Sequence, residues 1–426
     1  MSSPFFDKRI DYDSDGVDSL LSPSYTVDFD PAFAGQWLVC ADLDGDGRAE
    51  LVTARNENQA ITAMSAWRLD GTCVWTWGKQ GAGSAERTYD LPLQLYDLDG
   101  DGRVEVVFSV SGKLVVAEGE TGRALQEWPL PAGLEVADCI SFARLSNSAR
   151  PADILVKTRY TQIWAFDPSW RCLWSWQPED GHKSCHHPTT FDLDGDGLDE
   201  IMAGYTLLGS DGYPRWTYTT DATDLKRGHL DCCYVAEWGD AAEAFRLVVT
   251  ACGADHVALL DGTGRLLWEY AGYHFESAEV GRLRPESDWD VVVDVDHCPY
   301  GESPTWVIAA DGRPMGHYTT NYSRFHRLVD IDGDGFDGIL LAHARTLCDA
   351  GGRVRYRLAP DDDFVEAAVD PGQGDSGPFA VIGDMTGDSR VDIIVHTERR
   401  AHVYENIGEP LESDMTVGTP DNFTLY

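Results

Sequence analysis

The chain has 426 residues, of which 43% are hydrophobic and 11% aromatic, so it can bury a large core. Its formal net charge of −39 argues against nucleic acid as a partner, because the phosphates would be repelled. No apolar run of about eighteen residues predicts a membrane span, and no basic segment followed by an apolar one predicts a signal peptide. We therefore expect no membrane partner, and a protein that is cytoplasmic, or secreted if a leader has been removed.

The first predicted elements form a unit of four strands. An apolar run at 36–41 leads into the acidic loop 42–50, and further strands are predicted at 51–54, 60–67 and 73–77. Asp70-Gly71, between the last two strands, is typical of a tight hairpin turn.

Similar units follow along the whole chain, and many of them close with the pattern D-G-x-x-x-W or D-G-x-x-x-Y. They occupy residues 93–128, 138–176, 189–218, 232–270, 278–318, 328–358 and 379–404. Short strands at even spacing without helical periodicity predict an all-β fold. We expect one β-propeller domain over residues 1–426, with eight four-stranded blades or, alternatively, seven. Residues 409–426 are expected to form an irregular, acidic C-terminal tail, and the protein is expected to be a monomer.

The acidic loops share the pattern D-x-D-G-D-G-x-x-E, with three full copies and two looser ones. Alternating carboxylates around a tight glycine turn provide the oxygen ligands that Ca²⁺ prefers. An apolar run follows each loop, so the loop leads into a strand rather than into an EF-hand helix. We expect several calcium ions, mainly structural. The predicted ligands are Asp42, Asp44, Asp46, Glu50, Asp97, Asp99, Asp101, Glu105, Asp192, Asp194, Asp196, Glu200, Asp330, Asp332, Asp334, Asp384, Asp388 and Asp392.

The ten cysteines show no C-x-x-C spacing. Free, buried thiols in a reducing compartment are the favoured interpretation. The adjacent Cys232 and Cys233, and the pair His297 and Cys298, are the alternative as ligands of Zn²⁺.

Histidine, arginine and tyrosine recur just ahead of the innermost strands. In a propeller, the loops that enter these strands open on one face beside the central channel. Converging titratable groups at such a mouth are typical of a binding or catalytic site. Asp231 is placed to orient His229. The candidates from these loops are Tyr89, His186, His187, Arg227, His229, His274, Tyr322, Arg324 and His326.

The order of motifs resembles the rhamnogalacturonan lyases of polysaccharide lyase family eleven and, more loosely, ulvan and rhamnose–glucuronate lyases. The matching stretches are ADLDGDGRAELV at 41–52, WRLDGT at 67–72, YDLDGDGRVEV at 96–106, KTRYTQ at 157–162, the acidic loop and strand at 192–204, and GHLD at 228–231. The resemblance implies an eight-bladed, calcium-dependent propeller that cleaves its substrate by β-elimination. It places the family's two active-site histidines at His186 and His229, and Tyr160 in a substrate-binding segment. The family's arginine falls near Glu276 and its lysine near Tyr322.

These features predict a lyase that acts on a rhamnose-linked galacturonate or glucuronate and leaves a 4,5-unsaturated uronate. The C5 proton becomes acidic when a cation or a histidinium neutralises the uronate carboxylate. We expect His186 and His229 to share the neutralising and proton-transfer roles, with Tyr322 in place of the family's lysine. Arg227 and Arg324 are expected to hold the sugar carboxylate. The alternatives are a calcium-dependent propeller that binds carbohydrate or protein without cleaving it, and a hydrolase that uses two carboxylates.

Overall fold

The computed structural model describes residues 9, 16–17, 19–146, 150–296, 303–320, 326–359, 378–411 and 415–426. These residues form thirty-three β-strands and no α-helix. Short 3₁₀ turns occur at Leu225–Arg227, Ala242–Ala244 and Cys252–Ala254. No helix in this part of the chain is long and apolar enough to cross a membrane.

The strands are grouped into eight sheets, which are the blades of a propeller. The first four blades contain β3 (Trp37–Ala41), β4 (Glu50–Glu57), β5 (Ala60–Trp67) and β6 (Cys73–Gly78); β7 (Leu93–Tyr96), β8 (Glu105–Val110), β9 (Lys113–Glu118) and β10 (Ala124–Pro129); β11 (Ile140–Ala143), β12 (Asp153–Lys157), β13 (Ile163–Phe166) and β14 (Cys172–Trp176); and β15 (Ser184–Phe191), β16 (Glu200–Gly204), β17 (Thr206–Leu208) and β18 (Pro214–Thr217).

The last four blades include strands from both ends of the chain. They contain β19 (Cys232–Glu237), β20 (Arg246–Ala251), β21 (His256–Leu260) and β22 (Leu266–Ala271); β23 (His274–Gly281), β24 (Asp290–Asp296), β25 (Ser303–Ala309) and β26 (Pro314–Thr320); β27 (Arg327–Val329), β28 (Gly338–Leu341), β29 (Thr346–Cys348), β30 (Val354–Leu358) and β1 (Ser19–Leu21); and β31 (Phe379–Gly383), β32 (Asp392–His396), β33 (Arg400–Tyr404) and β2 (Tyr25–Asp28).

The ring is closed by the N-terminal strands. β2 pairs antiparallel with β33, in the register Tyr25 to Val403, and so supplies the outer strand of the eighth blade. β1 pairs parallel with β30 and adds a fifth strand to the seventh blade, which the sequence did not predict. The prediction of an eight-bladed all-β propeller is confirmed, and the seven-blade alternative is wrong.

The inner strand is the first in chain order in the first six blades, and it is β27 and β31 in the last two. Inner strands of neighbouring blades contact one another around the central axis. β3 is buried at all five positions because neighbouring blades cover both of its faces. The outer strand β10, in contrast, is exposed at most positions. Burial therefore decreases from the axis to the rim.

Tryptophans on outer strands join neighbouring blades. Each indole N–H donates to a carbonyl in the outer hairpin turn of the next blade, and the ring covers a turn glycine with positive φ. These bonds run from Trp75 to Gly119 (2.7 Å), Trp174 to Ser210 (2.9 Å), Trp216 to Gly262 (2.9 Å) and Trp268 to Ala310 (3.1 Å). The repeated D-G turn is thus also a docking site for the preceding blade.

Gly122→Ala tests this contact, with Gly71→Ala as its control. Both glycines lie in hairpin turns with φ of 68° and 86°. A Cβ on Gly122 would lie 2.8 Å from the Trp75 ring, whereas a Cβ on Gly71 would meet nothing within 4 Å. We expect both variants to lose about 1 kcal/mol to the left-handed backbone, and Gly122→Ala to lose about 1–3 kcal/mol more to the clash. Equal melting temperatures for the two variants would contradict the docking role.

The topology separates two faces of the ring. The acidic loops join first to second strands, and they share one face with the turns between third and fourth strands. The opposite face carries the loops that enter the inner strands and the turns between second and third strands. The acidic loops therefore lie at the far end of the inner strands from the candidate site.

Residues 415–426 run through the central channel. Thr419 bonds Cys40 of the first blade, Phe423 bonds Gln94 of the second, and Asn422 bonds Phe142 of the third. The side chains of Phe423, Leu425 and Tyr426 are buried. A cavity of about 530 Å³ remains beside this segment. The acidic composition of the tail gives no sign of this burial.

Candidate functional site

His186 lies in the inner strand β15, where the ladder is interrupted. Ser184 pairs with Gly204 and Thr189 with Met202, so the strand bulges between these pairs. The His186 N–H donates to the Leu230 carbonyl at 2.8 Å, outside its own sheet. The bulge therefore places His186 beside the entry to the fifth blade.

His229 and Asp231 belong to the loop that enters β19. A Cβ on Gly228 would lie only 2.3 Å from the Ala254 nitrogen, so glycine permits the close approach of this loop to the next turn. Asp231 is 1% exposed. Its Oδ1 lies 3.0 Å from His229 Nε2 and 3.5 Å from His186 Nε2. Two histidines from different blades thus meet at one buried carboxylate.

Tyr160 contacts both histidines. Its hydroxyl lies 3.0 Å from His186 Nε2, and its ring stacks on His229 with the centroids 4.0 Å apart. Tyr160 has a φ of 85°, which a side-chain-bearing residue rarely adopts and which is typical of strain at a functional site. Arg159 Nη2 donates to the hydroxyl at 2.8 Å. Burial raises the pKa of Tyr160, so the phenol keeps its proton at physiological pH.

A second group of donor atoms adjoins the histidines. The donor atoms of Cys252, His274 and Glu276 lie within 4.8 Å of one another. His274 Nε2 is 3.0 Å from Glu276 Oε1, and Cys252 Sγ is 3.7 Å from His229 Nε2. Burial raises the pKa of the Cys252 thiol, and the carboxylates of Asp231 and Glu276 raise it further. Cys252 therefore connects the two groups.

Basic side chains surround the histidines despite the acidic composition of the chain. Arg159 contacts the Tyr160 ring, and Lys183 Nζ lies 5.9 Å from the centre of that ring. Arg227 is exposed on the rim and pairs with Asp255 at 3.2 Å. Arg159 also pairs with Asp138 at 3.3 Å, so each of the two guanidinium groups has a carboxylate partner in the site.

A polar cleft of about 1090 Å³ opens on the same face, beside Tyr89. Arg55, Asn56 and Gln59 are among the side chains that line it. The Tyr89 ring lies 6.0 Å from the His186 ring, so the cleft leads toward the histidines. Its volume and polar lining suit a hydroxyl-rich ligand.

The structure brings together His186, His229, Tyr160, Tyr89, Arg227 and His274 among the predicted site residues. His187 points instead to the central cavity, and burial lowers its pKa to about 4. His326 is 0% exposed and bonds the Val292 carbonyl at 3.1 Å, so it is a core residue. Tyr322 and Arg324 lie outside the described residues.

One placement in the sequence analysis was wrong. His186, His187 and His274 were assigned to loops that precede the inner strands, but they lie within β15 and β23. Both strands begin earlier than their apolar runs and carry a register shift. A bulged strand accepts polar side chains that turn away from the sheet, so hydrophobicity alone places its start too late.

Sequence reasoning missed Arg159 and Cys252 as members of the site. Arg159 stands next to Tyr160 in the segment 157–162, and this adjacency could have indicated it. Cys252 had no such signal because it follows a strand of ordinary hydrophobic residues. Tyr426 was also missed, and its ring stacks on His186 at 4.3 Å.

The three full acidic loops share one geometry. In the first loop, Gly45 N and Gly47 N donate to the Asp42 carboxylate, and Leu43 N donates to Glu50 at 2.9 Å. Three carboxylates of each loop converge within 4.8 Å, as metal ligands do. The converging groups are Asp42, Asp44 and Glu50; Asp97, Asp99 and Asp101; and Asp192, Asp194 and Glu200. Burial, together with the neighbouring aspartates, raises the pKa of the last acid in each loop to about 7. These acids are Glu50, Glu105 and Glu200.

The two looser loops differ from the full ones. Arg355 pairs with Asp332 at 2.5 Å and with Asp334 at 3.0 Å, so a guanidinium lies among the predicted ligands of the first loose loop. Asp384 accepts several backbone N–H bonds in the second, and burial raises the pKa of Asp392 to about 6. Arginines also pair with predicted ligands in two of the full loops, Arg68 with Asp44 at 2.5 Å and Arg150 with Asp97 at 3.6 Å. Such pairing does not by itself separate the loose loops from the full ones.

The side chains of Cys232 and Cys233, which were considered as zinc ligands, lie on opposite faces of one strand. Cys232 and Cys233 are successive residues of β19, so their side chains point to opposite faces and pack in different hydrophobic clusters. His297 and Cys298 lie outside the described residues.

Comparison with known proteins gives weak sequence similarity and strong structural similarity to one kind of enzyme. Rhamnogalacturonan exolyase YesX of Bacillus subtilis is 26% identical over an alignment of 318 residues that covers 57% of this chain and 48% of YesX. Rhamnogalacturonan endolyase YesW of the same organism is 25% identical over 58% of this chain and 49% of YesW. The chain spans about half the length of these curated relatives.

Solved structures show the same fold. The rhamnogalacturonan lyase structure from Bacillus licheniformis aligns with a TM-score of 0.65 and 16% identity, over 91% of this chain and 76% of that chain. The YesW crystal structure aligns with a TM-score of 0.62 and 17% identity, over 92% and 77%. A family model described as an FG-GAP-like repeat matches residues 42–108, which contain the first two acidic loops.

Proposed function

We propose that the protein is a polysaccharide or oligosaccharide lyase that cleaves a rhamnose-linked uronate by β-elimination. One observation carries this proposal. The segments 157–162 and 228–231, which resemble lyase motifs, meet His186 in space through the contacts of Tyr160, His229 and Asp231. The similarity to two rhamnogalacturonan lyases supports the same class of substrate.

β-Elimination needs a neutralised carboxylate, a base and an acid. The base takes the C5 proton, the C4–O4 bond breaks as the C4–C5 double bond forms, and the leaving oxygen at O4 is protonated. His186 and His229 are proposed to share neutralisation and proton transfer. Tyr160 is a candidate for the acid, because its neutral phenol contacts both imidazoles.

Substrate binding is assigned to the basic side chains and the adjacent cleft. Arg159 and Arg227 are proposed to hold the uronate carboxylate, since a guanidinium binds carboxylate through two parallel hydrogen bonds. Tyr89 is proposed to stack on a sugar ring between the cleft and the histidines. Contacts with these guanidinium groups would offset part of the repulsion that the acidic protein exerts on an acidic polymer.

Calcium is proposed to fill the three full acidic loops and to act structurally. The loops lie on the face opposite the histidines, so an ion there stabilises the start of each second strand and takes no part in bond cleavage. The raised pKa of the ninth-position acid supports this, because a divalent cation would hold the clustered carboxylates ionised.

The proposal is tested by incubating the calcium-loaded protein with rhamnogalacturonan, ulvan and gum arabic oligosaccharides. We expect ultraviolet absorbance of a 4,5-unsaturated uronate, and products whose masses lack the water that hydrolysis adds. His229→Ala protein serves as the blank. Sugar binding without product would favour the non-catalytic propeller, and saturated products would indicate a hydrolase.

A further inference from the structure

We propose that His186, His229, Asp231 and Cys252 bind one divalent transition-metal ion of the zinc class. This site is separate from the calcium loops. It goes beyond the proposed function, because the ion can be bound whether or not the protein cleaves a uronate.

The first evidence is the convergence of three donor atoms. His186 Nε2, His229 Nε2 and Asp231 Oδ1 all lie within 4.8 Å of one another. The separations from Asp231 Oδ1 are 3.0 Å to His229 and 3.5 Å to His186. Around a tetrahedral zinc ion, nitrogen and oxygen ligands stand about 3.3 Å apart. The three atoms are therefore already spaced as ligands of one ion.

The second observation is the burial and hydrogen bonding of the Asp231 carboxylate. Its Oδ1 is buried and has no hydrogen bond of good geometry among the described residues, although His229 Nε2 lies 3.0 Å away and the Cys252 thiol bonds the same carboxylate group. The imidazole nitrogens are near, but they do not approach it with hydrogen-bond geometry. A buried carboxylate oxygen without a donor is costly. A cation at the point on which the three atoms converge would remove this cost.

Cys252 supplies the fourth donor and decides the kind of metal. Its Sγ lies 3.7 Å from His229 Nε2, close to the separation of about 3.6 Å expected between nitrogen and sulfur on zinc. Its backbone N–H donates to Asp231 Oδ2 at 2.5 Å, which fixes the other carboxylate oxygen. Two imidazoles, a thiolate and a carboxylate favour zinc, whereas calcium and magnesium prefer oxygen ligands alone.

The fold holds the ligands in place before an ion arrives. Asp231 and Cys252 flank the paired strands β19 and β20, and Asp231 N donates to the Thr250 carbonyl at 2.9 Å. Tyr160, at 3.0 Å from His186 Nε2, borders the site. If the protein is the proposed lyase, a bound ion takes over the neutralising role of the two imidazoles, which as ligands transfer no proton through Nε2, and Tyr160 remains for proton transfer.

The experiment titrates the full chain with Co²⁺ in excess Ca²⁺, which keeps the oxygen-only loops filled. We expect one tightly bound Co²⁺, a thiolate-to-cobalt charge-transfer band in the near ultraviolet, and loss of the band when Zn²⁺ is added. Cys252→Ser is expected to lose the band and to weaken binding at least tenfold. Cys348→Ser, which changes a buried cysteine of the seventh blade, is expected to retain both.

Three results would overturn the proposal. The first is a wild-type protein that binds neither Co²⁺ nor Zn²⁺ in the presence of Ca²⁺. The second is a charge-transfer band that is unchanged in Cys252→Ser. The third is Co²⁺ binding that survives His229→Ala but is lost in His274→Ala. The last result would place the ion at the neighbouring group of Cys252, His274 and Glu276. The wild-type titration needs no variant, so it remains decisive even if Cys252→Ser fails to fold. Because none of these readouts measures sugar cleavage, the metal site and the lyase activity can fail independently.

Discussion

His229→Ala is expected to lower turnover at least about a hundredfold, the usual effect of losing a group that takes part in acid–base catalysis. The imidazole stacks on Tyr160 and lies 3.0 Å from the buried Asp231 carboxylate, so no other side chain can take its position. Folding should survive, because His229 lies in a loop rather than in a blade. The measurement compares initial rates of unsaturated-product formation and melting temperatures for wild type and variant.

His186→Ala should behave like His229→Ala, and the double variant should be little worse than either single one, because the two histidines act as a unit. The matched control is His343→Ala, a half-buried histidine in the turn between β28 and β29 of the seventh blade, which should retain activity. Near-normal turnover in both His229→Ala and Tyr322→Phe would mean that the active site has been placed wrongly.

The fold could be predicted because its signals are local and repeated. Each acidic loop precedes a second strand, and each D-G turn joins the third and fourth strands, so blade boundaries follow from counting these marks. Trp75 illustrates the limit of a local sequence pattern. Its spacing from Asp70 marks a hairpin, but its bond to Gly119 in the next blade is a tertiary contact that no local pattern contains.

The site could be predicted only where a motif marked it. His186 and His229 stand in segments that resemble a known family, and the structure brings them to one carboxylate. His187 was selected as the neighbour of His186, but successive residues of a strand point in opposite directions, and the bulge was not foreseeable. Cys252 joins the site only through the pairing of β19 with β20, which sequence spacing does not reveal.

Removing calcium is expected to lower the melting temperature by about 10 °C at pH 8, since each filled loop contributes about 2.7 kcal/mol at a hundredfold excess of ion over Kd. This decrease in melting temperature should become smaller toward pH 5. Without the ion, burial and the nearby aspartates raise the pKa of Glu50, Glu105 and Glu200 from 4.5 to about 7. The folded metal-free protein therefore binds protons more tightly than the unfolded chain does.

The tighter proton binding by the folded metal-free protein sets the sign of the pH dependence of its stability. The stability that these glutamates give to the metal-free protein is fully present below about pH 4.5, and it is lost as the pH rises through about 7. Calcium competes with the same protons, so it binds weakly at pH 5 and fully at pH 8.

Melting curves of dialysed protein with and without Ca²⁺ at both pH values test this. Glu105→Gln should lose part of the increase in melting temperature that calcium gives. Glu57→Gln, at the exposed end of β4 on the other face, should lose none of it. A gain that is equal at pH 5 and pH 8 would mean that these glutamates do not bind the ion.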